Sequence, residues 1–293
     1  MSNKKDSLGD RMKENYENRA KTYLVRRMPV IIRLDGKAFH TFTRGLKKPY
    51  DEIFHNTMNA TMKYLCENIQ GCKLGYTQSD EITLLLTDYD TLTTDAWFDN
   101  NVQKICSVSA SMATMVFNKV LSDEINRYEF EWRTGFTPQS IEIQNAHREY
   151  LMTLREAVEK GAMFDSRCFN IPEDEVINCF IWRQQDATRN AIQMLGQCNF
   201  SHKELQNKSC NDIQDMLMLQ KGINFNDMPT EFKRGVCCVK ETYWPGKVAP
   251  GCEDCPIDAT ELRTRWVIDK EIPIFTQNRS YVMNTFKGEN NDY

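Results

Sequence analysis

The first third of the chain alternates between helical and strand patterns of apolar residues. Residues 7–27 are predicted to form a helix that leads into a strand at 30–34. In 51–69 apolar side chains recur three and four residues apart, which predicts a helix, and Gly71 is a typical stop signal. Apolar positions on either side of a polar break at 77–80 predict two antiparallel strands, joined as a hairpin with acidic residues at its tip.

The rest of the chain continues this alternation, and Ser-x-x-Glu and Ser-x-x-Asp capping patterns at Ser201 and Ser209 predict two short helices that end near Gly222. Longer helices are predicted over 99–121, over 141–160 and from 173 to about 197. Further strands are predicted over 163–172, 235–246 and 262–268. The order β-α-β-β-α-β predicts an α+β sheet with its helices on one face.

Composition indicates a globular protein of one large domain or two small ones. The chain has 293 residues, of which 41% are hydrophobic and 27% charged. It has no run of 18 apolar residues and no apolar core of a signal peptide, so we expect neither a membrane span nor secretion. Its 11 cysteines are scattered, which favours reduced thiols and a cytoplasmic location.

Charge is distributed unevenly along the chain. Residues 1–50 hold 13 Lys and Arg against 5 Asp and Glu, although the whole chain carries a net charge of −4. This basic segment predicts an anionic ligand such as phosphate. The alternative is a solvated basic helix.

Three acidic residues are candidates for a metal site. Asp35 follows the strand at 30–34, and Asp80 and Glu81 lie on the hairpin, so the carboxylates are expected to meet at one edge of the sheet. Such oxygens suit Mg²⁺, and two ions would form the clamp of nucleotidyl transfer. Asp-Gly and Ser-Asp are also ordinary turn dipeptides, which is the alternative interpretation.

Basic residues beside these acids are candidates for binding a triphosphate. Gly36 would let the backbone approach a metal or a phosphate, and Ser79 would add a hydroxyl donor. The candidates that would neutralise phosphate charge are Lys37, His40, Lys47 and Lys48.

The segments VIIRLDGKAFHTFT, with a later KKP, and GYTQSDEITLLL resemble the tRNA-His guanylyltransferase superfamily, whose members add nucleotides to the 5′ end of RNA. The resemblance continues through WRQQDATRNA and INFNDMPTEFKRG and covers roughly residues 8–240. It implies an antiparallel sheet like that of the polymerase palm and of nucleotide cyclases, with a helical and β extension at the C-terminus. We therefore expect a catalytic domain over 1–240 with an insertion near 137–162, and an extension over 241–293 packed on it.

The resemblance also implies a role for each matching residue. Asp35 and Asp80 would bind two Mg²⁺ ions, with the carbonyl of Gly36 as a further ligand, and Glu81 would support the site. ATP and GTP or another nucleoside triphosphate would be substrates. Their triphosphate would contact the turn and its neighbours, namely Gly36, Lys37, Ala38, Phe39, His40, Lys48 and Ser79.

One departure indicates the branch of the superfamily. Members specific for tRNA-His carry HINNLYN where this chain has residues 188–194, TRNAIQM. The chain therefore resembles the guanylyltransferase-like branch, which repairs 5′-truncated tRNAs by templated addition. Homotetramers are common in the family, and tRNA is the implied partner.

Weaker signals complete the picture. Cys237, Cys238, Cys252 and Cys255 are more readily interpreted as free thiols than as a zinc site, because the first two are adjacent. His55 is interpreted as a surface or packing residue. The candidates for contacting RNA phosphate are Arg183, Lys208, Lys233 and Arg234.

The sequence thus predicts a Mg²⁺-dependent 3′-to-5′ nucleotidyltransferase that acts on the 5′ end of tRNA. A nucleotide cyclase on the same palm fold is the alternative enzyme and would need no RNA. A non-catalytic RNA-binding module is the alternative outside catalysis, although the acids are intact.

Overall fold

A six-stranded antiparallel sheet forms the centre of the protein. The computed structural model describes residues 7–135, 140–243 and 262–287. The strands are β1 Val30–Gly36, β2 Cys72–Gln78, β3 Glu81–Leu86, β4 Phe164–Asn170, β5 Val236–Tyr243 and β6 Arg263–Asp269. Their order across the sheet is β4-β1-β3-β2-β5-β6. The predicted α+β class and the antiparallel sheet are confirmed.

Ten α-helices surround this sheet within the described residues. They are α1 Ser7–Met12, α2 Phe39–Phe42, α3 Glu52–Asn68, α4 Val102–Thr134, α5 Ile141–Lys160, α6 Glu173–Asn199, α7 His202–Leu205, α8 Cys210–Lys221, α9 Thr230–Arg234 and α10 Ser280–Lys287. Both predicted capping boxes are present, at the starts of α7 and α8. The predicted N-terminal helix is shorter than expected and ends at Ala20, and α4 runs 13 residues beyond its predicted end at 121.

Helices pack on both faces of the sheet, so the expectation of one covered face is wrong. Alternate side chains of β1 point to opposite faces. Ile32 and Leu34 belong to a core formed with α3 and α4, whereas Ile31 belongs to a second core with Val176 and Phe180 of α6. A strand buried on both faces has a continuous run of apolar residues, and β1 begins with such a run, Val-Ile-Ile.

The helix α4 is long and apolar enough to cross a membrane by length and composition alone. One stripe of it is nevertheless buried in the protein: Ile105, Ala113 and Phe117 are inaccessible to solvent and belong to the core with α3. Its Ser109 hydroxyl also lies 2.8 Å from the hydroxyl of Ser166 on β4. These contacts are those of a core helix.

The C-terminal part of the chain completes the sheet. β5 pairs with β2 and, from Cys237 to Tyr243, with β6, and α10 packs near α6 and β2. The expected boundary between 240 and 241 falls inside β5, and the division into a domain and an extension stays a prediction.

The adjacent cysteines of β5 do not form a shared metal site. Cys237 and Cys238 are fully buried in opposite cores, and burial raises the pKa of the Cys237 thiol. Cys252 and Cys255 lie outside the described residues. The cysteines that the structure describes are all free, as the composition predicted.

Candidate active site

Three carboxylates form a row across one end of the sheet. In the strand register Asp35 of β1 lies opposite Glu81 of β3 on one side and opposite Asp165 of β4 on the other. Directly opposed residues of antiparallel strands project to the same face. The sequence predicted that Asp35 and Glu81 lie close together. It gave no signal for Asp165, which lies 130 positions from Asp35 along the chain.

Asp80 joins this row from the hairpin turn. The N–H of Gly36 donates to the Asp80 carbonyl over 3.2 Å, which holds the end of β1 against the turn. The Ser79 hydroxyl donates to the Asp80 carboxylate over 3.1 Å. Burial, with smaller contributions from Asp35 and Glu81, raises the pKa of Asp80 to about 6. Burial and the charges of Glu81 and Asp165 raise the pKa of Asp35.

Glu81 is held differently from the two aspartates. Its carboxylate accepts hydrogen bonds from Arg183 of α6 and, over 3.1 Å, from Gln78. Arg183 is 3% exposed and also pairs with Asp186 over 3.2 Å. Glu81 is therefore neutralised by the protein itself, whereas the described residues offer Asp35 and Asp80 no ion pair.

Loss of the buried Arg183 charge is expected to destabilise the fold. Arg183→Met would leave Glu81 and Asp186 without their buried cation, and breaking such a pair costs about 3–5 kcal/mol. Urea unfolding monitored by circular dichroism measures this free energy.

Arg189→Met is the matched control, because Arg189 pairs with the same Asp186 but is 59% exposed. Exposed pairs contribute about 0–1 kcal/mol. Equal, small losses for the two variants would contradict a buried ion pair at Glu81.

The turn after Asp35 is shaped by the packing of one aromatic ring. Phe39 is 3% exposed and contacts Phe42, Phe117 and Phe164 in the core. A Cβ on Gly36 would lie 2.3 Å from the Phe39 ring, so only glycine fits there. The glycine thus serves this packing, and the Phe39 side chain is mostly committed to the core.

The backbone of the same turn presents unpaired donors. Among the described residues, the N–H groups of Ala38, Phe39 and His40 donate to no acceptor, because they open the short helix α2. Ala38 has φ +55°, which turns the chain sharply after β1. Consecutive free N–H groups favour an anion. The side chains of Lys37 and His40 are exposed beside them.

A cleft leads away from the carboxylates. Its outer end is a cavity of about 180 Å³, and a second cavity at its inner end contains Asp35 and Asp80. The two share the wall residues Thr43, Phe54, Ser79 and Met194. Tyr50, His55 and Phe232 add aromatic rings to the outer end, and Lys48 lies at its wall. The geometry suits a ligand with phosphate at one end and a flat ring at the other.

Comparison with known proteins identifies the family. The family model described as tRNAHis guanylyltransferase matches residues 9–172, more than half of the chain. The chain belongs to the tRNAHis guanylyltransferase family. The predicted family is therefore confirmed, and with it the assignment of the chain to a family of tRNA-processing transferases.

Solved relatives of the family cover nearly the whole chain. A bacterial tRNA(His) guanylyltransferase-like protein in complex with ATP is 43% identical, covers 95% of this chain and 98% of its own, and superposes with a TM-score of 0.73. A corresponding complex with GTP is 42% identical, covers 96% and 99%, and has a TM-score of 0.71. The tRNA(His) guanylyltransferase of Saccharomyces cerevisiae is 27% identical over 220 residues, which are 70% of this chain and 80% of the yeast protein.

The four cations predicted to contact RNA do not form a single surface. Arg183 is buried in ion pairs with Glu81 and Asp186, which argues against its predicted contact with RNA. Lys208 lines a separate cavity with His202, and Lys233 and Arg234 line a third. Lys47 lies 4.2 Å from the centre of the Tyr150 ring, although its side chain remains exposed.

Sequence reasoning missed a polar group in the wall of the cleft. The Nε2 atom of His55 lies 2.9 Å from the Glu231 carboxylate. The same carboxylate pairs with the Lys270 ammonium over 3.0 Å. Burial lowers the pKa of His55, and Lys270 and His55 hold the pKa of Glu231 below its usual value. The three residues are 176 and 39 positions apart, so no local pattern connected them.

Proposed function

We propose that this protein is a Mg²⁺-dependent 3′-to-5′ nucleotidyltransferase that repairs the 5′ end of tRNA. The observation that supports this most is the position of Asp35 and Asp80 beside the open amides of the turn, at the inner end of a cleft of a guanylyltransferase-family chain. The 5′-monophosphate would first attack the α-phosphate of ATP and release pyrophosphate. The 3′-hydroxyl of the incoming nucleotide would then attack the activated phosphate and release AMP.

The donors present fit Mg²⁺. Within the described residues no group of three His, Cys, Asp or Glu side chains forms a complete metal site. Mg²⁺, however, usually takes only one or two carboxylates and completes its shell with water and substrate phosphates. Asp35 and Asp80 supply two, and burial, with the charges of neighbouring carboxylates, raises the pKa of both. When bound, the ions would neutralise phosphate charge and activate the attacking oxygen.

The chain's own residues would bind and orient the nucleotide. The free amides of Ala38, Phe39 and His40, which follow Asp35, would bind the triphosphate, and Ser79 would add a hydroxyl. Phe39 would then contribute its backbone rather than its ring. Lys37, His40 and Lys48 would supply positive charge, and the aromatic end of the cleft would hold the nucleoside.

Incubation with a labelled substrate tests the proposal. A tRNA that lacks its first nucleotide and carries a 5′-monophosphate is combined with ATP, Mg²⁺ and labelled GTP. Incorporation at the 5′ end supports the proposal. Conversion of ATP or GTP to a cyclic nucleotide without RNA would support a cyclase instead, and RNA binding without incorporation would support the non-catalytic module.

Loss of charge at the triphosphate end is expected to weaken nucleotide use selectively. Lys48→Ala and His40→Ala should raise the KM for GTP about tenfold, because each would remove a charge-assisted contact with phosphate. The dissociation constant for tRNA should stay nearly constant. Steady-state kinetics and fluorescence anisotropy measure the two quantities.

Lys63→Ala is the control for this pair, since Lys63 is half-exposed on α3 and, among the described residues, pairs only with Glu67. If Lys48→Ala and His40→Ala instead lost tRNA affinity at unchanged KM, these residues would belong to the RNA site.

Assembly and location remain predictions that follow from the family. Homotetramers acting in the cytoplasm are proposed on that basis, and the free thiols of the described cysteines are compatible with a reducing compartment. Sedimentation velocity measures the state of assembly.

A further inference from the structure

A second charged surface lies on the other side of the carboxylate row. Arg33 of β1 precedes Asp35 by two residues, and the strand register places Arg167 of β4 directly opposite Arg33. Residues two apart on a strand share a face. Arg33 and Arg167 therefore lie one step down the same face from Asp35 and Asp165, whereas the proposed triphosphate turn follows Asp35.

The guanidinium of Arg33 has an unused capacity to bind an anion. In the part of the chain that the structure describes, it makes no hydrogen bond and no ion pair. It lies 5.6 Å from the centre of the Trp182 ring. Arginine carries five N–H donors in a planar fork that matches phosphate oxygens. A half-buried arginine whose donors are unpaired, two residues from a proposed metal ligand, has the capacity to bind an anion.

Arg167 is available to the same ligand. Its ion pair with Asp165 is 3.3 Å long, and both side chains are more than half exposed, at 56% and 52%. Exposed pairs of this kind contribute about 0–1 kcal/mol, so a phosphate can replace the carboxylate. The carboxylates that face this surface are Asp35, Asp165 and the neutralised Glu81.

Trp182 supplies a flat apolar surface beside the two arginines. It lies on α6 and is 49% exposed, which is uncommon for so large a ring. Arg183 lies 3.7 Å from the centre of the ring and is itself fixed by Glu81 and Asp186, so the indole is held in place from beneath. A fixed, exposed aromatic ring next to phosphate donors is typical of single-stranded nucleic acid sites.

We propose that Arg33, Arg167 and Trp182 bind the 5′ end of the RNA, with the arginines on its phosphates and the indole stacked on a terminal base. This inference rests on the proposed function, which requires two phosphorylated substrates at one pair of carboxylates. The turn and the cleft accept the nucleotide from one side, and the arginine surface accepts the RNA from the other.

Binding of 5′-monophosphorylated, truncated tRNA, measured by fluorescence anisotropy without ATP at several salt concentrations, tests the surface. Arg167→Ala should weaken binding about fivefold and reduce the preference for a 5′-phosphate over a 5′-hydroxyl. The slope of log affinity against log salt concentration should fall by about one released counterion. Trp182→Ala should weaken binding about tenfold, and Trp182→Phe should restore most of the loss. The KM for GTP should not change.

Arg265→Ala is the matched control, because Arg265 is a similarly exposed strand arginine in an ion pair, on β6 at the far edge of the sheet. Wild-type affinity in both Arg167→Ala and Trp182→Ala, or loss of GTP use alone, overturns the inference. Nucleotide addition by the wild type tests the proposed function separately. A wild type that adds nucleotides while these variants bind tRNA normally refutes only the surface, and the reverse result refutes only the activity.

Discussion

Asp35→Asn and Asp80→Asn are each expected to reduce nucleotide addition at least about 1,000-fold without unfolding the protein. Each substitution keeps the shape of the side chain and removes one of the two charges proposed to bind Mg²⁺. Loss of such a ligand removes several kcal/mol of transition-state stabilisation, and about 4 kcal/mol corresponds to that factor. Single-turnover incorporation of labelled GTP into truncated tRNA measures it.

Asp80→Asn should also stabilise the metal-free protein at neutral pH. The pKa of Asp80 is about 6 in the folded protein and about 3.8 in the unfolded chain. The folded state therefore favours the protonated carboxyl, and that contribution to stability is present below about pH 4 and is lost as pH rises through 6. Asparagine cannot ionise and avoids this loss, which amounts to roughly 3 kcal/mol.

Melting temperatures in the presence of a chelator, measured from pH 4 to pH 8, test the sign. Asp80→Asn should match the wild type at pH 4 and exceed it at pH 8. Added Mg²⁺ should raise the wild-type melting temperature more than that of the variant. Asp215→Asn, an exposed acid of α8, is the control. Full activity in Asp35→Asn or Asp80→Asn would show that the substituted carboxylate does not bind the metal.

The sequence predicted local structure well where the signals were local. The helix α5 has the bounds predicted from its pattern, and both serine caps lie where the three-residue spacing placed them. The apolar run of β1 indicates a buried strand, but the prediction of a sheet covered on one face does not account for its burial on both sides. Continuous apolar strands indicate helices on both sides.

The candidate site was predictable only as far as its motifs extend. Asp35 and Asp80 belong to short segments whose turns are local, so their proximity followed from two neighbouring strands. Asp165, His55 and Glu231 are brought in by strand register and helix packing across 100 residues or more, for which a single sequence holds no signal. The burial of Arg183 is not predictable from the sequence, because its partner Glu81 lies 102 positions away.

The identity of the added nucleotide is expected to follow the template. A tRNA that lacks its first nucleotide should receive whichever base pairs with the opposite position of the acceptor stem. The resemblance implies a different motif for tRNA-His-specific members at residues 188–194, and three of these residues, Asn190, Ala191 and Met194, line the cleft. The predicted departure therefore lies at the wall of the proposed nucleoside site.

Among the described residues, the outer cavity offers no uncommitted carboxylate to select guanine. Guanine would be recognised by an acceptor for its ring N–H and amino groups, and the acidic residues of the outer cavity are Asp51 and Glu231. Glu231 is paired with Lys270 and His55. Asp51 accepts bonds from Tyr150 over 2.7 Å and from the backbone of Lys47 and Phe54. Because both are committed, we expect discrimination to come from base pairing, which needs only phosphate and backbone contacts from the protein.

Four truncated tRNAs that differ only at the template position, each incubated with the four labelled nucleotides in turn, test this expectation. The complementary nucleotide should be added at least about 100-fold faster than the others on each template, a difference of about 2.7 kcal/mol. An intact tRNA of the same sequence is the control and should gain little, because it offers no unpaired template position. Addition of guanosine on every template, and only to tRNA-His, would contradict templating. Specificity would then have to come from side chains of the cleft other than Asp51 and Glu231, and Asn190, whose amide carries both a donor and an acceptor, is the first to substitute.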